Sequence, residues 1–138
     1  MEFSKIIAVS GKPGLFEILS QTKTGVIVKA LADGKRMPIT ATHNVSLLEN
    51  IAMFTYEEDV PLGEVFKNIA QKEDGKETIS HKESKQVLES FFAEVLPNYD
   101  EERVYASNIK KVVQWYNILA KSDFNFKSLD TVDSNEEE

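Results

Sequence analysis

The sequence predicts an α+β protein: an SH3-like five-stranded small β-barrel followed by a three-helix C-terminal domain. Three observations carry that prediction. Apolar residues recur with a period near two up to Tyr56 and with a period near 3.6 after it. Turn chemistry punctuates the first half at short intervals, at Gly11-Lys12-Pro13-Gly14, Thr24-Gly25 and Asp33-Gly34. Charge changes sign at the same boundary: residues 1–56 hold six Lys/Arg against four acids, a net of +2, which leaves −9 for residues 57–138 of a chain at −7. The expected organisation is a barrel over 1–56, a helical domain over 57–127 and a disordered acidic tail over 128–138.

The first strand is expected over Ile6 to Ser10. In the turn that follows, Pro13 fixes φ and the glycines accept positive φ, which releases Leu15 to Thr22 as the second strand. Thr24-Gly25 turns the chain into the β-branched run Val26 to Leu31. Asp33-Gly34 is a strong short hairpin signal, suited to a type I′ or related turn, and Met37 to Ala41 answers it. Pro38 cannot donate to a ladder, so this fourth strand is expected at an edge or with a bulge. Val45 to Asn50 suits a single helical or 3₁₀ turn before a last strand over Ile51 to Thr55. Five short strands with a helical turn before the fifth fit an SH3-like barrel better than an OB-fold, whose strands are longer.

Leu62, Val65, Phe66 and Ile69 then fall on one helical face, with Pro61 in the first turn, Asp59 as a cap and Gly75 at the end. Ser80-His81-Lys82-Glu83 reads as a capping box that starts a second helix, whose apolar stripe is Val87, Leu88, Phe91, Phe92, Val95 and Leu96; Pro97 stops it. Ser107 or Asn108 is expected to cap a third helix, with Ile109, Val112, Val113, Trp115, Tyr116, Leu119 and Ala120 on one arc and Ile118 off it, towards the barrel. A barrel of about 56 residues is marginal alone, burying roughly 60% of its unfolded surface, so the two parts are expected to share an apolar interface.

The complete absence of Cys removes disulfides, thiolate zinc sites and Cys nucleophiles, and fits a reducing, cytoplasmic setting. No apolar run approaches the roughly 20 residues of a membrane span, so no membrane partner is expected. A pI near 4.9 argues against non-specific nucleic-acid binding by the molecule as a whole.

The chain resembles an uncharacterised bacterial family with a small N-terminal barrel and a C-terminal helical domain. The resemblance runs through Ser10-Gly11-Lys12-Pro13-Gly14-Leu15, Asp33-Gly34-Lys35-Arg36, Ala41-Thr42-His43, Phe91-Phe92-Ala93-Glu94-Val95-Leu96-Pro97 and Val113-Gln114-Trp115-Tyr116-Asn117. It implies architecture and no activity, because the family carries no established chemistry from which a catalytic residue could be transferred.

Each motif that suggests chemistry has a plainer reading. Ser10-Gly11-Lys12-Pro13-Gly14 lacks the G-x-x-x-x-G-K-[ST] spacing of a phosphate loop and joins two strands, so it is read as a turn with Lys12 exposed. An unperturbed imidazole titrates near neutrality, which makes His43 a tempting candidate, but it completes no triad and His81 lies in the other half of the chain; both are read as structural or solvated. Glu57-Glu58-Asp59, Glu73-Asp74 and Asp100-Glu101-Glu102 lack calcium-loop spacing and are read as helix starts and solvated surface. Trp115 and Tyr116 are read as core anchors, and most of Phe3, Phe16, Phe54 and Tyr56 as residues the barrel core consumes.

The candidate binding residues are therefore Lys12, Lys23, Lys35 and Arg36 at the hairpin ends, together with His43. The resulting expectation is a non-catalytic binding or adaptor module that acts through protein–protein interaction, without cofactor or metal. Two alternatives stand beside it: a nucleic-acid-binding small barrel that uses the hairpin cations, and an enzyme in which His43 meets an acid at the module junction.

Overall fold

The computed structural model describes residues 3–12, 14–40, 44–122, 124 and 126. A 3₁₀ turn over Phe3–Lys5 leads into β1 (Ile6–Val9), β2 (Phe16–Gln21), β3 (Gly25–Ala30), β4 (Arg36–Thr40) and β5 (Val45–Leu47). A second 3₁₀ turn (Leu48–Asn50) and a short ribbon of β6 (Ala52–Met53) and β7 (Val60–Pro61) then lead into α1 (Leu62–Glu73), α2 (Lys85–Val95) and α3 (Ala106–Lys121).

The α+β prediction of five antiparallel strands and three helices holds. The strand order is β4-β3-β2-β1-β5, a four-stranded meander with the fifth strand returning beside the first. Among the described residues no pairing joins β4 to β5, so the sheet is open and not closed as a barrel. Pro38 lies on β4, an edge strand, where its missing N–H costs no interior ladder bond.

The fifth strand differs from the expectation. Val45–Leu47 pairs with β1 over three registers, and the 3₁₀ turn follows it instead of preceding it. Ile51 to Thr55 does not join the main sheet. Ala52 and Met53 pair with Val60 and Pro61, and Thr55 bridges Tyr99. The alternation Val45-Ser46-Leu47 is a strand signal too short to outweigh the helical composition beside it.

Two apolar clusters divide the sheet. Ile7, Val9, Phe16, Val28 and Ile39 form one, with Ile18, Val26, Ala30, Met37 and Leu47 packed against it. Every one of these residues belongs to the sheet. The other cluster takes Ile6, Leu15 and Leu48 from the first half and joins them to Leu62, Val65, Phe66, Ile69, Phe92, Ile109, Val113, Tyr116 and Leu119 from the helices. The predicted shared interface is therefore present, and Ile118 does face the sheet module: a Cβ built on Gly14 would stand 4.0 Å from its Cδ1.

The helix ends correct three expectations. Pro61, not Asp59, is the N-cap of α1, and no side chain caps it. α2 starts at Lys85 with Ser84 as its cap, the hydroxyl accepting from the Val87 amide at 3.3 Å; Ser80 instead accepts from the Lys82 amide in an exposed turn. α3 starts at Ala106, and Asn108 serves as its third residue, accepting from the Tyr105 amide at 2.9 Å. Beyond α3 the chain returns Phe124 and Phe126 to the core, where Phe126 stacks on Tyr116 at 4.9 Å. Pro13 and the tail from residue 128 lie outside the described residues.

Candidate functional site

The hairpin cations do not converge. In a meander, successive turns alternate between the two ends of the sheet. Lys12 lies in the β1–β2 turn and Lys35 and Arg36 at the β3–β4 turn, and a Leu31 N–H to Leu15 carbonyl bond of 3.0 Å ties those turns together at one end. Lys23 lies in the β2–β3 turn at the other end, about 20 Å away along six residues of strand. All four are exposed. Arg36 stands in register with Lys29, whose ammonium is 3.7 Å from Glu17, so the outer face of β2 to β4 carries mixed charge. His43, and with it the catalytic alternative, lies outside the described residues.

A denser arrangement occurs where the chain crosses from sheet to helices. Residues 54–56 run antiparallel to 98–100: the Tyr56 amide donates to the Asn98 carbonyl at 3.0 Å and the Asp100 amide to the Phe54 carbonyl at 2.9 Å, around the Thr55–Tyr99 bridge. Alternation along an extended segment sends Thr55 inward and its two neighbours outward. Thr55 is 2% exposed, and its hydroxyl accepts from the Glu57 and Glu58 amides and donates to the Glu58 carbonyl. Of the four aromatics in this half, Phe16 is buried at 4%, whereas Phe54 and Tyr56 are 38% and 62% exposed and are not consumed by the core.

Both exposed rings are held. The Arg103 guanidinium lies over Phe54 with Cζ 4.4 Å from the ring centroid, and the Tyr56 hydroxyl accepts from the Glu101 amide at 3.3 Å. Arg103 is itself fixed: its Nε donates to Asp100 Oδ2 at 2.8 Å and a terminal nitrogen to the Thr55 carbonyl at 3.4 Å. Asp100 also accepts from the Glu102 amide at 3.0 Å. The Arg103 hydrogen bond holds the Asp100 carboxyl below the usual carboxylate range, while burial works against it. Tyr105, 64% exposed, follows Arg103 by two residues. The two segments that carry these rings also carry the exposed acids Glu57, Glu58, Asp59, Glu101 and Glu102. None of the five is in a helix, contrary to the helix-start reading, and Glu73 and Asp74 likewise sit at the C-terminal end of α1.

A concavity of about 480 Å³ lies between α1 and α2, with Phe91, Val87 and Ile79 as its apolar part and Lys72 and Glu94 paired at 2.6 Å on its rim. Its α1–α2 connection is pinned from α3: Asn117 accepts from the Thr78 amide at 2.8 Å and donates to the Ile79 carbonyl at 2.9 Å, and the Tyr116 hydroxyl donates to the Lys76 carbonyl at 2.7 Å. Tyr116 is thus the core anchor the sequence suggested, and Trp115 packs partly buried against the same cluster. Among the described residues no group of three His, Cys, Asp or Glu side chains is placed to hold a metal, and no helix is long and apolar enough to cross a membrane.

The chain matches two family models, Domain of unknown function (DUF5606) over residues 3–48 and Domain of unknown function (DUF6852) over residues 51–119, and it belongs to this family. It is similar to a protein from Bacteroides vulgatus whose structure was solved by solution NMR, with 42% identity over 90% of this chain and 89% of that one and a TM-score of 0.75. No curated protein matches it.

Proposed function

We propose that the protein is a non-catalytic binding or adaptor module, and that it engages a protein partner through Phe54, Tyr56, Arg103 and Tyr105. The observation that carries this reading is the fixing of exposed rings. Phe54, Tyr56 and Tyr105 are three of the six large apolar side chains most exposed among the described residues, and the first two are held by Arg103 and by the Glu101 amide. Rigid aromatic and arginine side chains lose little entropy on binding and dominate the energetics of protein interfaces.

We read the open sheet as SH3-like, on the strength of its strand order and of the apolar cluster built from its own residues. In this reading the sheet module supplies Phe54 and Tyr56 at its exit and the helical module supplies Arg103 and Tyr105. The nucleic-acid alternative rests on Lys12, Lys35 and Arg36 at one end of the sheet, without an exposed aromatic among them.

The test is capture from an extract of the protein's own cells, using wild type and Tyr56→Ala, each with and without nuclease. The reading expects a protein retained after nuclease and lost with Tyr56→Ala. Retention that nuclease abolishes and Tyr56→Ala leaves unchanged would replace it with the nucleic-acid alternative.

A further inference from the structure

We infer that the partner of this surface is basic: a lysine- or arginine-rich protein segment seated on Tyr56 and Phe54. The inference rests on the protein-binding reading above and adds the chemistry of what is bound. Charge complementarity carries it. Glu57, Glu58 and Asp59 follow Tyr56 directly, and Glu101 and Glu102 lie on the loop whose Glu101 amide binds the Tyr56 hydroxyl. The one cation in the cluster, Arg103, is already paired with Asp100. The segments that carry the rings thus hold five exposed acids, and Arg103, the one cation among the described residues of 54–59 and 98–105, is committed to Asp100.

A basic side chain gains twice there. It meets carboxylates at the rim, which speeds encounter and selects against acidic partners, and its cation can lie over the π-face of Tyr56. Arg103 on Phe54 shows that geometry within the protein itself. A phosphate backbone meets the opposite field and is excluded by the same acids.

The test uses fluorescein-labelled octalysine and octaglutamate, with backbone-amide NMR to locate the contact. Octalysine should shift the amides of Tyr56, Glu57, Asn98, Glu101 and Glu102, and octaglutamate should shift none of them. Tyr56→Ala, which leaves every charge in place, should weaken octalysine at least fivefold, and so should the double variant Glu57→Gln, Glu101→Gln, which leaves every ring in place. Shifts spread evenly over the acids of α1 and α2, or a Tyr56→Ala affinity within twofold of wild type, would reduce the contact to general charge attraction and overturn the proposal.

A photo-crosslinker at position 107, exposed beside Tyr105 and outside the residues proposed to bind, used in cell extract, separates this failure from that of the broader reading. Cross-links to a peptide rich in lysine or arginine support the proposal. Cross-links to a neutral or acidic peptide overturn the partner chemistry and leave the binding surface standing. No cross-linked protein at all removes the surface and the proposal together.

Discussion

The Arg103 guanidinium stacks on the Phe54 ring at 4.4 Å, and so joins the end of the sheet module to the loop before α3 across 49 residues of chain. The same side chain holds Asp100, so its loss should be felt as stability and as order of the aromatic pair. A stack of this kind at a half-exposed position contributes about 0.5–1 kcal/mol. Arg103→Ala should therefore lower the thermal midpoint by a few degrees, and Arg103→Lys, which lacks the planar fork, should recover only part of that loss. Equal midpoints for Arg103→Ala and wild type would show that the stack does not organise the loop.

Asp100 makes the junction sensitive to acid. Its carboxyl titrates below the usual range in the folded protein, chiefly through the Arg103 hydrogen bond. The stabilisation is complete above the unfolded-state value of about 4 and fades as pH falls through the lower folded value. The gap in urea midpoint between wild type and Asp100→Asn should thus be constant from pH 7 to 5 and close below pH 4. A gap that widens on acidification would reverse the assigned direction.

Two glycines separate steric from conformational cost. A Cβ at Gly25 would stand 1.9 Å from the Ile39 carbonyl oxygen on β4, a clash with backbone that only strand separation relieves. Gly25→Ala should cost about 1–3 kcal/mol. Gly34 has open space around it but φ of +75°, so Gly34→Ala should cost about 1 kcal/mol from the left-handed conformation alone. Its neighbour Asp33 lacks positive φ, and the Gly34 amide reaches back to the Ala30 carbonyl at 2.8 Å, so the turn is a longer loop than type I′. Denaturant unfolding should rank the two variants in that order.

The start of α2 gives a sharper contrast. Ser84→Ala removes the cap and should cost about 1 kcal/mol, whereas Ser80→Ala removes one exposed turn contact and should be close to neutral. The reverse ranking, by chemical denaturation, would place the helix start at Ser80.

Why Ser80 misleads and Leu62 does not is a matter of which signals are local. The 3.6-period stripes of Leu62 to Ile69 and Leu88 to Val95 reflect burial against neighbours, and that requirement fixes the helices in sequence and structure alike. Ser80 and Ser84 both offer hydroxyls ahead of the same apolar stripe, and the choice between them is made by the Asn117 and Tyr116 bonds that pin residues 76–79 from α3. The candidate site was illegible for the same reason. Phe54 and Tyr56 look like core strand residues, and only their bridge to 98–100, more than 40 residues away, turns Thr55 inward and both rings out. Lys23 shows the converse: its distance from Lys35 follows from meander topology, which the turn signals imply once the strands are ordered.

Leu15 tests how tightly the two halves are coupled. It is 1% exposed and belongs to the cluster built mainly by the helices, although it precedes β2 in the sheet module. Leu15→Ala should cost about 2–5 kcal/mol and shift one cooperative transition, not split it into two. Residues 1–56 expressed alone would expose Ile6, Leu15 and Leu48 and should not melt cooperatively. A fragment as stable as the whole chain would show that the shared core contributes little to the sheet.

Tyr116 carries the alkaline counterpart of Asp100. Its ring is fully buried between Phe66 and Phe126, and its hydroxyl donates to the Lys76 carbonyl at 2.7 Å. Burial pushes the phenol up to about 12, with the nearby Glu73 adding to the shift. An unfolded tyrosine ionises near 10, so the folded state favours the neutral form. That stabilisation is fully present below pH 10 and is lost progressively as pH rises towards 12. Tyr116→Phe should cost about 1 kcal/mol at neutral pH through the lost hydrogen bond. It should also flatten the alkaline limb, because phenylalanine has no proton to surrender, so the two stability curves should meet and cross between pH 10 and 12. Lysine deprotonation is common to both and cancels in the difference. Parallel urea titrations at pH 7, 10 and 11.5 measure that difference directly, and a constant offset across the three would mean that Tyr116 does not titrate with unfolding.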